Sequence, residues 1–312
     1  MRSFYEKESV CSQVFAGLGE CYHLWTPENF EIIFSSEEDF KVAMCIVGIC
    51  AMLFPEVKLL TFQIMSNHLH ITAAGAEDRI KALFARIKKM LRKYALSSGK
   101  SIDWDRFEAK TRKLESLEDV RNVIVYNNRN GFIVSPEYSP FTYPWGANRF
   151  YFNPDAKILA QNNSRNMSFR EKRFVSHSHI ADEINNLFCY DGYALPISFC
   201  DVSAGERLFR DASHYFYKIS KNIESNKMIA KEIGENVFYT DDELFAVISA
   251  KCKKEYDEPI PSRIGAMEKI RIAKMMRFDF NASDKQIQRM LKLERNTISS
   301  FLGAKPSADA PI

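Results

Sequence analysis

The spacing of apolar residues changes along the chain, and each change predicts an element. Residues 22 to 25, Tyr-His-Leu-Trp, read as a strand. Ser36 then stands where a helix cap belongs, because Phe40, Ala43, Met44, Val47 and Cys50 recur after it at helical spacing. Residues 59 to 64 and 68 to 72 read as two more strands, with Ser66-Asn67 as a turn or bulge between them. Residues 76 to 94 predict a long amphipathic helix whose buried stripe is Leu83, Ile87, Met90, Leu91 and Tyr94. Residues 104 to 111 suggest a further strand. Residues 116 to 130 predict a helix with Leu117, Val120, Ile124 and Asn127 along one side, ended by Gly131.

Beyond this alternating region the pattern becomes helical. Residues 154 to 175 are rich in Asn, Ser, Arg and Lys and read as a linker. Residues 174 to 256 carry mostly helical spacing, broken at Leu195-Pro196 and Gly234. Near the end, residues 264 to 278, 283 to 291 and 295 to 302 predict three helices, with Lys292-Leu293-Glu294 as the last turn. Ile287, Met290, Leu291, Leu293, Ile298 and Phe301 would form their core. The unit resembles the helix-turn-helix of many bacterial DNA-binding proteins, in which the third helix enters the major groove of duplex DNA. That resemblance would turn Arg295, Asn296, Thr297 and Ser299 toward DNA; a three-helix cap that only packs is the alternative. The expected division is 1–153, a linker at 154–175, a helical domain at 176–258, the helix-turn-helix at 259–304 and a tail at 305–312.

Composition narrows the class without naming a function. The 312 residues are 46% hydrophobic and 27% charged, ordinary for a globular protein. A net charge of +3 is too small to declare a nucleic-acid partner. Its distribution is more informative: Arg79, Lys81, Arg86, Lys88, Lys89, Arg92 and Lys93 fall within fifteen residues that hold no acid. This face is either solvated or a phosphate-contacting surface beside the strand that carries His68 and His70. Seven cysteines, with no C-x-x-C among them, suggest neither a disulfide framework nor a zinc site, so a reducing cytoplasm is expected. The start lacks an apolar signal core, and the longest apolar stretch, around residues 42 to 54, is too short to span a bilayer, so no membrane association is expected. No P-loop, G-x-S-x-G or H-E-x-x-H pattern occurs.

The candidate chemistry lies at Asn67-His68-Leu69-His70. Side chains two apart on a strand share a face, so His68 and His70 can converge on one metal ion or stand as a satisfied pair. His177-Ser178-His179 repeats the spacing in a polar context and is expected on the surface. His23, on the first strand, is expected to be structural, and His214, beside Tyr215, Phe216 and Tyr217, to lie in the core or an interface. Tyr138, Phe141, Tyr143 and Trp145 could stack on bases or close the first domain.

Four landmarks occur in order: Tyr22-His23-Leu24-Trp25, Met65-Ser66-Asn67-His68-Leu69-His70, Tyr126 to Gly131 with Asn130 four residues after the tyrosine, and Tyr143-Pro144-Trp145. Together they resemble the HUH single-strand DNA transposases with one catalytic tyrosine, especially the REP-associated tyrosine transposase branch. Ser66 and Gly131 stand where that family has prolines. The resemblance implies an α+β fold with a ferredoxin/RRM-like antiparallel sheet, followed by mostly α-helical domains. It implies Tyr126 as nucleophile, with His68, His70 and Asn130 around a metal. Two imidazoles and an amide oxygen suit Mg2+ or Mn2+ better than zinc, which prefers a closed nitrogen and sulfur set. The expected substrate is hairpin single-stranded DNA, cut through a 5′-phosphotyrosine, with the helical regions adding duplex DNA binding or homodimer contacts. Two alternatives remain: a domesticated DNA-binding regulator of the same fold that no longer cuts, and a metal-dependent hydrolase that uses water and leaves Tyr126 dispensable.

Overall fold

The computed structural model describes residues 4–27, 30–134, 141–221, 241–278, 280, 282–294 and 297–298. The chain divides into two compact units, Met1–Asn222 and Ile223–Ile312. The first is α+β. Helix α1 (Phe4–Leu18) leads into β1 (Cys21–Trp25), α2 (Glu37–Leu53), β2 (Lys58–Ile64), β3 (Leu69–Ala74), α3 (Glu77–Ser97), β4 (Lys110–Leu114) and α4 (Leu117–Val134). The strands form one sheet in the order β2-β3-β1-β4, with every neighbouring pair antiparallel.

Local chemistry explains most boundaries. Ser36 and Asp39 form a capping box at the start of α2, each side chain accepting from the other's backbone N–H. The same Asp39 carboxylate accepts from the Tyr94 hydroxyl at 2.9 Å and pairs with Lys100 at 2.6 Å, which ties α3 and the loop after it to α2. Between β2 and β3, Met65 N–H donates to the His68 carbonyl at 2.8 Å, so Ser66 and Asn67 form a tight turn and His68 just precedes β3 instead of lying within it. The strand expected at residues 104 to 111 is displaced, with turns at 104 to 106 and β4 beginning only at Lys110.

Strand alternation gives the sheet two unlike faces. Leu24 and Thr111 line a cavity with Phe84 of α3, which puts the apolar face under the α2 and α3 layer. Thr61, Gln63, His70, Thr72 and His23 share the other face, all buried, and α4 covers it. Helix α4 does not stop at Gly131; it runs on to Val134. A glycine inside a helix costs only about 1 kcal/mol relative to alanine, less than the packing of a helix on a sheet supplies.

The outer edge of β2 is sealed by later segments of the same unit. Ile64 N–H donates to the Trp145 carbonyl at 2.8 Å, Ala147 N–H to Phe62 at 3.2 Å and Asp201 N–H to Leu59 at 2.7 Å. The hydroxyls of Tyr143 and Tyr151 reach the Ile64 and Leu60 carbonyls, each at 2.6 Å. A Cβ at Gly146 would lie 2.7 Å from the Phe62 carbonyl, so only glycine allows this approach. Tyr143 and Trp145 are therefore buried as closure of the domain, Trp145 stacked on Phe40. Phe141 meets Phe216 edge-on, and Tyr138 lies outside the described residues.

Residues 154 to 175, expected as a linker, are ordered elements of this unit. They hold α5 (Pro154–Asn162), β5 (Arg165–Asn166) and most of α6 (Phe169–Ser176). Asn153 caps α5 ahead of Pro154, and Ser168 with Glu171 forms a second capping box at α6. Strand β5 joins β6 (Phe188–Tyr190) and β7 (Tyr193–Ala194) in a small antiparallel sheet, and α7 (Val202–Arg207) and α8 (Ala212–Lys221) follow.

The second unit is helical, with α9 (Asp241–Tyr256), α10 (Ala266–Phe278) and α11 (Asp284–Leu291). Its core joins Leu244, Ile248 and Cys252 of α9 to Ile272, Ala273 and Met276 of α10 and to Ile287, Met290, Leu291 and Ile298. The boundary expected at 259 cuts this core, because α9 packs with the helices after it. Ser283 and Gln286 cap α11, and Lys292 ends it in a left-handed conformation at φ 53°. A further helical turn begins at Thr297 and Ile298, where Ile298 N–H donates to Glu294 at 3.1 Å. Among the described residues no helix is long and apolar enough to cross a membrane.

Candidate active site under helix α4

The sheet face beneath α4 is a buried polar layer, costly unless its groups find partners. Three consecutive residues of α4 engage it. Tyr126 packs against the histidines, Asn127 Nδ2 donates to Thr72 Oγ1 at 2.7 Å, and Asn128 accepts from the Thr61 hydroxyl. Asn128 Nδ2 also donates to the Tyr215 hydroxyl at 2.8 Å; that hydroxyl donates to Asn148, whose Nδ2 returns to the Asn128 carbonyl at 3.2 Å. The closed ring ties α4 to α8 and to the segment that seals β2.

His68, His70 and Tyr126 are brought together. The two imidazole centroids lie 5.0 Å apart with their planes nearly perpendicular. The Tyr126 ring stands edge-on to His70 at 5.6 Å and to His23 at 6.3 Å, on the histidine side of the sheet. Exposure is small throughout: 8% for His68, 0% for His70 and 3% for Tyr126. His68 Nδ1 lies 2.7 Å from Asn67 Oδ1, and Asn67 Nδ2 donates to the Phe30 carbonyl at 3.1 Å, so the turn orients the ring. His70 Nδ1 lies 3.3 Å from His23 Nε2. Asn130 is on α4 one turn beyond Tyr126, but its side chain lies outside the described residues.

Burial pushes all three histidines toward the neutral form. It lowers His68 to about 4 and His70 well below the ordinary value, with the neighbouring rings adding to the fall at His70. His23 falls to about 3, through burial first and then the Arg112 guanidinium, while an interaction with Asn127 pulls the other way. His214 falls to about 4, through burial first and then the neighbouring Arg210. A histidine kept neutral by the fold binds a proton on unfolding, so its contribution is complete above about pH 6.5 and is lost as pH drops toward the folded value. Urea midpoints should therefore fall steadily between about pH 6.5 and 4. A flat profile across that window would show that these rings are not held neutral.

The other expected residues lie elsewhere. Helix α3 packs on the apolar face, so its basic side chains are on the opposite side of the sheet from the histidines, not beside them. Arg79, Lys81 and Lys88 are paired with Glu56, Glu77 and Glu108, while Lys89 and Arg92 are exposed and Arg86 and Lys93 half-buried. His177 and His179 are exposed, His179 beside Asp182 at 3.1 Å. His214 packs on Phe209 in the first unit. Thr297 is half-buried, and Arg295, Asn296 and Ser299 lie outside the described residues.

As a donor set, His68 and His70 fit a divalent cation. Burial holds both rings toward the neutral form, and His68 Nδ1 lies beside Asn67 Oδ1, which makes Nε2 its candidate ligating atom. The 5.0 Å centroid spacing is within reach of two imidazoles sharing a cation at about 2.1 Å from each nitrogen. Among the described residues no group of three or more His, Cys, Asp or Glu could hold a metal ion, so further ligands would be oxygens of amide, phosphate or water. No family model, no curated protein and no solved structure matches this chain.

Proposed function

We propose that the first unit is a ferredoxin/RRM-like HUH nuclease domain that cuts and rejoins single-stranded DNA with Tyr126 as nucleophile. The observation that carries the reading is the edge-on packing of Tyr126 against His70 beneath α4. The split β-α-β order and the β2-β3-β1-β4 sheet support the fold assignment. A phenol with an ordinary pKa of about 10 is a weak nucleophile at neutral pH and needs a partner that stabilises charge on the phosphate. A bound Mg2+ or Mn2+ would supply that as a Lewis acid. His68 and His70 would hold the cation, with Asn130 as the candidate oxygen ligand, and Asn127 and Asn128 would fix the helix that presents the tyrosine. The Tyr126 oxygen forms a bond to phosphorus while the bond from phosphorus to the 3′ oxygen breaks. The phenolic proton ends on that 3′ oxygen, leaving a 5′-phosphotyrosine and a free 3′-hydroxyl.

The decisive experiment incubates the protein with hairpin DNA carrying a label 5′ or 3′ of the cleavage point, with Mg2+ or Mn2+. A denaturant-resistant adduct carrying only the 3′-side label is expected. Binding without an adduct would favour the second reading, a DNA-binding regulator of the same fold that does not cut. Burial is the observation on that side, since a phosphate must displace part of the covering surface to reach Tyr126.

The second unit, with its capped α11 and the turn after it, is proposed to bind duplex DNA as a helix-turn-helix. Removing residues 223–312, and not only those after 259, should leave hairpin cleavage intact while weakening duplex binding and flattening its salt dependence. Identical titration curves at two salt concentrations would reduce this unit to a packing or dimerisation role.

A further inference from the structure

Cys45 of α2 and Cys189 of β6 meet at the seam between that helix and the small sheet, away from the histidines. Both line one cavity of about 270 Å³, with Val42, Met167 and Val175 as apolar walls. Their own exposure is 3% and 5%, yet the exposed residues Glu38 and Arg170 line the same cavity, so it opens to solvent. Register and packing bring the two cysteines there. Cys189 stands directly opposite Ala194 across β6 and β7, so their side chains share a face. That face lies on α2, since a Cβ at Gly48 would be 3.0 Å from the Ala194 Cβ and 3.0 Å from the Phe199 ring. Gly48 follows Cys45 by three residues and shares its side of the helix. Small residues therefore draw the hairpin in to the short backbone separation that a disulfide needs.

We propose that Cys45 and Cys189 form a dithiol modification site, which a peroxide joins into an intramolecular disulfide that pins the hairpin of β6 and β7 to α2. All seven cysteines are free in this structure. Elsewhere Cys50 donates to Met90 Sδ at 3.6 Å and Cys200 to the Leu59 carbonyl at 3.3 Å, so those two thiols serve the core. Each thiol of the proposed pair perturbs the other, which pulls Cys189 below its ordinary value and, with burial adding to it, pushes Cys45 up. In the reaction one thiolate attacks a peroxide oxygen and the O–O bond breaks. The departing hydroxide takes up that thiol's proton and leaves as water, with the sulfur now a sulfenic acid. The second thiol attacks this sulfur, the S–O bond breaks, and its proton leaves with the oxygen as a second water. Two electrons pass from the thiols to the peroxide.

The test uses reduced, full-length wild-type protein, so that no variant has to fold. Hydrogen peroxide is added in small molar excess, remaining thiols are capped with N-ethylmaleimide in denaturant, and peptides are mapped by mass. A single peptide joining Cys45 to Cys189 is expected, with loss of two of the seven thiols and their return on treatment with dithiothreitol. The oxidised protein should run as a monomer on a non-reducing gel and unfold at higher urea than the reduced form, because the bridge closes a long loop. Protein unfolded in urea before the peroxide is added provides the comparison, since its links should scatter among all the cysteines. The same scatter in the folded protein, oxidation at other cysteines while this pair stays reduced, or survival of all seven thiols would each overturn the proposal.

Discussion

Tyr126→Phe should abolish the covalent adduct with hairpin DNA and leave hairpin binding largely unchanged. The substitution removes one oxygen and keeps the ring that packs on His70 at 5.6 Å and His23 at 6.3 Å, so the layer beneath α4 should remain closed. The cost to stability is that of one buried hydroxyl, about 1 kcal/mol. The cost to cleavage should be on the order of 10⁴-fold or more, because nothing else supplies the attacking atom. Denaturing gels report the adduct and gel shifts report binding. Cleavage that persists in the variant at wild-type rate would transfer the reaction to water and make this a hydrolase.

His68→Ala and His70→Ala should each reduce metal-dependent cleavage by at least about 10²-fold, whereas His179→Ala should not. The difference lies in surroundings. His68 and His70 are buried, neutral and oriented by neighbours, while His179 is exposed and serves Asp182. The two alanine variants should differ in stability. His70 lies wholly within the layer and its removal strands His23, whereas His68 sits at the turn before β3. Cleavage is therefore best read beside circular dichroism and Mn2+ titration. Full activity in a folded His68→Ala protein would remove the metal from the scheme.

Much of the first unit was legible in local pattern. Ser36 announced α2, the stripe from Leu83 to Leu91 announced α3, and the alternation from Leu69 to Ile71 announced a sheet face, although the strand begins only after His68. What escaped depended on distant contacts. Gly131 looks like a stop signal, yet α4 passes through it because the sheet beneath holds the helix. Residues 154 to 175 look like a linker by composition, although Ser168 and Glu171, three apart, already spell the capping box that starts α6. The place of His23 beside His70 could not be read along the chain, because it is set by cross-strand register. Asn127 and Asn128 did leave a trace: two amides interrupt an apolar helix and mark a face that meets polar groups.

The ring through Asn128, Tyr215 and Asn148, with Asn127 on Thr72, makes the seating of α4 all-or-none. Turning the helix by a single residue would swing each side chain by about 100° and leave several buried amides and hydroxyls without partners, at about 1 to 3 kcal/mol apiece. Small slides that an apolar interface would tolerate are therefore closed to it. In the proposed reaction, room for a DNA strand would come from surfaces other than this helix, and Tyr126 would meet the phosphate from a fixed bearing.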